Sequence, residues 1–226
     1  MTESERAELM KDNSLLKELL LKRMPEPGKC STAVEGLSMS RRESDVHVEN
    51  CFYRPSVGLV VQGSKRSVVG SDEYSYGENQ YLVVSVDMPS SFFASGATHE
   101  HPFLAISLDL DKYLISRLVM ELPAAPDAGN ESCKGVGVTN ATPDLLNAFL
   151  RLVELLEKPE EVAFLAPVVI QEIHYRLLLG PLGNNLRRFS TLGTQSNQIA
   201  QAVAWLRDNY KEPLQIETLA RRVNMG

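Results

Sequence analysis

Between Tyr53 and Pro89 the chain reads YRPSVGLVVQGSKRSVVGSDEYSYGENQYLVVSVDMP, and this stretch restricts the fold more than any other. Residues 56–62 are apolar and β-branched, and Gly63-Ser64-Lys65 carries a turn. Residues 65–69 return, and Gly70-Ser71-Asp72 turns again. Tyr74 and Tyr76 alternate with Ser75 ahead of Gly77-Glu78-Asn79, and residues 80–86 close the set before Pro89. Short β-rich runs broken by Gly-bearing turns predict an antiparallel sandwich or barrel and argue against βαβ units.

The flanks are of two kinds. Residues 1–24 read as a helix capped at Ser4, striped by Leu9, Leu16, Leu19 and Leu20, and ended by Pro25 and Pro27-Gly28. Residues 32–50 suggest one strand, from the alternation of Leu37, Met39 and Arg41, followed by a polar loop. Residues 91–95 and 103–110 are further strands. The second has two unlike sides: Leu104, Ile106, Leu108 and Leu110 are core, and Phe103, Ala105, Ser107 and Asp109 face a cavity or the opposite sheet. Beyond Asp111 the period changes to helical. A short helix covers 112–121, and 123–142 reads as a loop. Helices over 144–158 and 159–180 carry broad apolar faces that need a partner surface, either the barrel or a second subunit. A polar linker spans 182–194, and two short helices follow, with Ile199, Ala202, Val203, Leu206 and Tyr210 on one face of the first and Ile216, Leu219, Ala220 and Val223 on the second.

Charge is unevenly distributed. The chain of 226 residues carries a formal net charge of −6. From Pro181 onward five Arg and one Lys stand against one Asp and two Glu, a net of +3, which leaves −9 on the first 180 residues. An acidic body with a basic tail suggests two roles in one chain. The three cysteines, Cys30, Cys51 and Cys133, have no metal-like spacing and read as free thiols in a reducing compartment. No stretch approaches the ~20 apolar residues of a membrane span, and the charged amino terminus lacks a signal-peptide core. A cytoplasmic protein is expected.

Candidate chemistry is sparse. His99-Glu100-His101 is half of a barrel metal signature, but no Glu follows on the next strand, and the only later histidine, His174, lies in a helical region. No metal site and no cofactor are expected. Arg41-Arg42 offers an anion clamp or, as the plainer reading, a pair straddling a strand with one salt-bridged. Cys51, beside Phe52-Tyr53, reads as a buried inert thiol in preference to an electrophile sensor. No Gly-x-Ser-x-Gly elbow and no Cys–His pairing support a nucleophile. No catalytic residue is assigned, and the chain is expected not to be an enzyme.

The tail AVAWLRDNYKEPLQIETLARRVNMG resembles the start of the DNA-binding domain of AraC/XylS-type transcriptional regulators, through Trp205, Asn209, Pro213, Leu214, Leu219, Ala220, Met225 and Gly226. The QGSK and YLVVSVDMP pieces are similar to the amino-terminal domain of one branch of that family, and EIHYRLLLGPLGNNLRR resembles its helical segment. The resemblance implies an α+β chain: a cupin-like antiparallel β-barrel of jelly-roll type, a helical dimerisation segment, and the first helices of a helix-turn-helix domain. It divides the chain into an N-terminal helix (1–24), an effector barrel (28–112), a helical segment (113–181), a linker (182–195) and a truncated helix-turn-helix start (196–226). It further implies a homodimeric, cytoplasmic regulator that senses a small molecule and binds promoter DNA when full length. Within the barrel, Gln62, Ser85, Asp87 and Ser107 are the candidate polar ligand contacts, with Phe93 and Phe103 as apolar walls. Arg221 and Arg222 are candidate phosphate contacts, adding affinity without base specificity. Two other readings remain: a cupin-type metalloenzyme with helical extensions, and a ligand-free dimerisation module.

Overall fold

The computed structural model describes residues 2–123, 134–191 and 195–225. Its first half runs α1 (Glu3–Arg23), β1 (Gly28–Ser31), β2 (Leu37–Arg42), β3 (Val46–Tyr53), β4 (Ser56–Gln62), β5 (Ser64–Val69) and β6 (Asp72–Gly77). Then come β7 (Gln80–Val84), β8 (Met88–Ala94), β9 (Phe103–Asp109), α2 (Lys112–Glu121) and β10 (Val136–Asn140). Helices complete it: α3 (Pro143–Glu154), a 3-10 turn (Leu155–Glu157), α4 (Pro159–Leu179), α5 (Gly183–Ser190), α6 (Gln195–Asp208) and α7 (Ile216–Arg222).

β4 is apolar at nearly every position because both of its faces are covered. It lies within a six-stranded antiparallel sheet of order β1-β2-β9-β4-β7-β10. On one face Val57, Leu59 and Val61 join Leu104, Ile106 and Leu108 of β9 and meet Leu9, Leu16 and Leu20 of α1, with α3 and α4 behind. On the other, Val60, Leu82 and Val84 meet Tyr76, Ala94 and Phe103 beneath the second sheet. That sheet has four strands in the order β3-β8-β5-β6. Among the described residues no hydrogen-bonded strand pair joins the two sheets, so the expected barrel is a two-sheet antiparallel sandwich. Leu16, Leu20, Leu59 and Leu104 are fully buried. Truncating any one of them to Ala costs about 2–5 kcal/mol.

Several local expectations need correction. The cap of α1 is Thr2, whose hydroxyl accepts from the Glu5 amide in a capping box, not Ser4. Residues 46–53 form a strand instead of a polar loop, because pairing with β8 supplies the backbone bonds that the mixed composition hides. β8 begins at Met88 and contains Pro89. The proline lies beyond the Val69↔Ser90 pair that ends the β5 ladder, so no bond on that side is lost. Residues 136–140, read as loop, pair with β7 as an edge strand. The loop's earlier part and Cys133 lie outside the described residues. The linker holds α5, whose Leu186 and Phe189 are buried. α4 is long and apolar enough in composition to cross a membrane. It nevertheless packs against α2, α3 and α5 and carries Glu172 and Arg176 in ion pairs, as a helix of the domain does.

Candidate functional site

The two sheets enclose a cavity of about 460 Å³, within the range of small-molecule sites. β9 contributes the side that its alternation implied: Phe103, Ala105, Ser107 and Asp109. β4 and β7 add Gly58, Val60, Leu82 and Val84, and the small sheet adds Cys51, Tyr53, Lys65, Tyr76, Phe92 and Ala94. Gly58 has nothing within 4 Å of where a Cβ would stand, so the missing side chain leaves open space on the β4 wall. Lys29, Arg42 and Arg54 also line it, with Ser40, Phe52, Ser56 and Ile106. Four basic groups thus face one carboxylate, Asp109.

Lys65 is the chemical centre of this wall. On β5 it shares the inward face with Ser67 and Val69. Its ammonium lies 4.1 Å from the Phe92 ring centroid and 5.2 Å from that of Tyr53. Among the described residues no carboxylate pairs with it. Burial pushes its pKa down to about 8, against an opposing pull from Cys51 and with smaller contributions from the charges of Lys29 and Arg42 in the same direction. Beside it, the Tyr53 hydroxyl lies 2.8 Å from Ser67 Oγ, which lies 3.3 Å from the Tyr76 hydroxyl. Burial raises Tyr53 to about 12 and raises Tyr76 as well, so both phenols stay protonated and form a polar, uncharged strip. Cys51 Sγ lies 3.1 Å from both the carbonyl oxygen and Oγ of Ser90. The arrangement combines an apolar body, a neutral hydroxyl strip and an under-neutralised cationic end.

Of the sequence-derived candidates, Phe103 and Ser107 stand on the cavity wall. The other four stand elsewhere. Gln62 donates from Nε2 to the Pro102 carbonyl, 2.8 Å away, and ties the end of β4 to the start of β9. Ser85 lies between β7 and β8, where its amide donates to the Gly135 carbonyl at 2.8 Å. Asp87 is buried at the sheet's end and forms an ion pair with Arg207 of α6. Phe93 lies on the far face of β8, stacked on His47 at 3.9 Å and covered by Arg66 at 4.4 Å. Its neighbour Phe92 holds the inward position, since a one-residue step along a strand reverses the face. Lys65 itself was concealed by being read into the turn. Its i, i+2, i+4 relation to Ser67 and Val69 was the available signal.

The remaining motifs are structural in their contacts. Arg41 is buried and donates from one nitrogen to the Met24 and Pro25 carbonyls at 2.7 and 2.9 Å, with Glu43 as its ion-pair partner. His99 Nδ1 lies 2.9 Å from Glu43. His174 Nδ1 donates to the Ile170 carbonyl at 2.8 Å, and Nε2 accepts from the Asp111 amide at 3.0 Å. Among the described residues no three His, Cys, Asp or Glu side chains gather as a metal shell. Arg221 and Arg222 are exposed at the end of α7, and Arg222 lies 5.8 Å from the Trp205 ring centroid.

Residues 33–185 match the family profile described as "AraC-type transcriptional regulator N-terminus". No curated protein sequence matches the chain. Solved structures of ToxT from Vibrio cholerae share its fold at very low identity. Apo ToxT K231A aligns with a TM-score of 0.57 and 8% identity over 87% of this chain and 73% of that one. ToxT with bound unsaturated fatty acid aligns at 0.53 and 8%, covering 84% and 69%. ToxT with bound (E)-4-(8-methylnaphthalen-1-yl)but-3-enoic acid aligns at 0.54 and 9%, covering 84% and 71%.

Proposed function

The chain belongs to the AraC-type transcriptional regulators, and from that premise we propose that its cavity binds an amphipathic small-molecule anion whose presence sets where the C-terminal helices lie. The observation that carries the reading is Lys65. A desolvated ammonium with no carboxylate partner among the described residues, flanked by Arg42 and Lys29, leaves positive potential uncompensated inside an apolar enclosure. An anionic headgroup discharges it, and the aliphatic and aromatic walls take the ligand's body. ToxT, of the same fold, has been solved with two apolar carboxylic acids. That chemistry therefore supplies the first probe. A ligand shifts the arrangement of the C-terminal helices only if it binds one arrangement better than another. In this reading the regulator acts in the cytoplasm on promoter DNA, with Arg221 and Arg222 contributing phosphate contacts and no catalytic step in the cavity.

Calorimetry with palmitoleate and with the corresponding neutral alcohol tests the ligand class. The acid is expected to bind at least about tenfold tighter than the alcohol, and Lys65→Met to remove that preference. Equal affinity for acid and alcohol refutes the anion reading.

The homodimer in this reading is formed through α4. Phe164, Leu165, Val168 and Leu179 stand 78%, 43%, 64% and 55% exposed on this helix. An apolar face of that extent suits a second copy of the same helix. Light scattering is expected to show a dimer that Val168→Glu converts to monomer. A wild-type monomer at micromolar concentration would remove this part of the reading.

A further inference from the structure

Asp87 sits in the short connection by which the chain leaves β7 of the large sheet and enters β8 of the small one. Its side chain is only 3% exposed, and an isolated carboxylate in such a place is strongly unfavourable. Among the described residues its cationic partner is Arg207, a residue of α6 and so of the basic C-terminal part of the chain. Arg207 also chelates Asp208 through Nε, at 2.8 Å. Around the pair, Val86 and Met88 of the barrel pack with Phe189 of α5 and with Ala200 and Val203 of α6. This cluster is small beside the main core, so among the described residues the contact between α6 and the sheets rests on few apolar groups and an ion pair whose carboxylate is buried.

The same connection touches the cavity wall. Met88, next to Asp87, pairs with Tyr53 across β3 and β8, and Tyr53 lines the cavity beside Lys65. Arg54, on the cavity rim, acts electrostatically on Asp208, the second partner of Arg207. A change in the position of Tyr53 or Arg54 is thereby one residue or one charge away from the Asp87–Arg207 pair.

We propose that the Asp87–Arg207 ion pair is a latch that docks α6 on the end of the barrel, so that the C-terminal helices exchange between a docked and a released arrangement. The latch depends on the contact between barrel and α6 alone and stands whether or not the cavity takes an anion. Removing Arg207 leaves the buried Asp87 carboxylate without this cation, which is what makes the pair a switch instead of a surface contact. The released arrangement separates the basic tail from the acidic body, and the docked one holds it in a single orientation.

Hydrogen exchange on the intact chain, as wild type, Asp87→Asn, Arg207→Gln and the double variant, tests the latch. Each single variant is expected to speed exchange of the α6 amides by about tenfold or more, with β4, β7 and β9 unchanged. The double variant is expected to add little to either single one, because both remove the same interaction. Unchanged α6 exchange in both single variants overturns the proposal. Equal acceleration in the barrel strands also overturns it, because the pair would then stabilise the whole fold and not the docking of one helix.

Discussion

Lys65→Met separates what this residue costs the fold from what it gives the site. Keeping an ammonium's pKa near 8 when its ordinary value is 10.5 corresponds to about 3 kcal/mol of lost stability at neutral pH. The Phe92 and Tyr53 faces return roughly 1 kcal/mol through cation–π attraction, leaving a net cost of about 2 kcal/mol. Methionine fills similar volume without a charge and removes that cost. The variant should therefore be more stable than wild type at pH 7, with a Tm higher by about 4–8 °C for a chain of this size. The pH dependence fixes the mechanism. Below pH 8 the folded and unfolded chains both hold the Lys65 proton, and the cost is constant. Between pH 8 and 10.5 the folded chain has released a proton that the unfolded chain keeps, so wild-type stability rises through this window. Urea unfolding followed by circular dichroism at pH 7 and pH 10 measures both quantities. The advantage of the variant should shrink as pH rises. A variant less stable than wild type at pH 7, or an advantage unchanged at pH 10, would refute the account of Lys65 as a desolvated, unpaired cation.

Other positions give sharper structural tests. Arg41→Met strips the Met24 and Pro25 carbonyls of their donor and leaves Glu43, among the described residues, with His99 alone. A loss of about 3 kcal/mol in chemical denaturation is expected, and a change under 1 kcal/mol would contradict it. His174 is buried and neutral, its pKa pushed below the ordinary 6.5 mainly by desolvation. As pH falls from 6.5 toward its folded pKa, the unfolded chain binds a proton that the folded one refuses, so stability declines; His174→Gln should flatten that decline between pH 7.5 and 5.5. At Gly183 an added Cβ would stand 2.0 Å from the Leu178 carbonyl oxygen, which is backbone and cannot turn aside. Gly183→Ala is expected to cost on the order of 3 kcal/mol by forcing α4 and α5 apart, seen as a lower unfolding midpoint.

The period-two and period-3.6 patterns carried most of the architecture. The alternation in 103–110 separated the core-facing leucines from the side bearing Phe103 and Ser107, because a strand puts successive residues on opposite faces whatever it packs against. Weakly patterned segments were less legible. β3 and β10 look like loops because their stability comes from ladders with β8 and β7, partners distant in sequence. α5 was hidden in a polar linker. Its helicity depends on Leu186 and Phe189 finding apolar cover, which composition does not reveal.

By itself, then, the sequence determined most of the elements, a strand-rich middle flanked by helices, the acidic body with its basic tail, and the regulator family. These follow from local backbone preference, hydrophobic period and motif, all of which are written along the chain. The identity of the cavity's polar groups was decided only by tertiary structure. Lys65, Arg42 and Tyr53 meet because β5, β2 and β3 come from different sheets and hairpins, and Asp87 left the candidate list because Arg207, far along the chain, reaches it. Desolvation and pairing are properties of neighbours in space. They turn a turn-like lysine into a desolvated cation on the cavity wall and an aspartate between two strands into half of an ion pair.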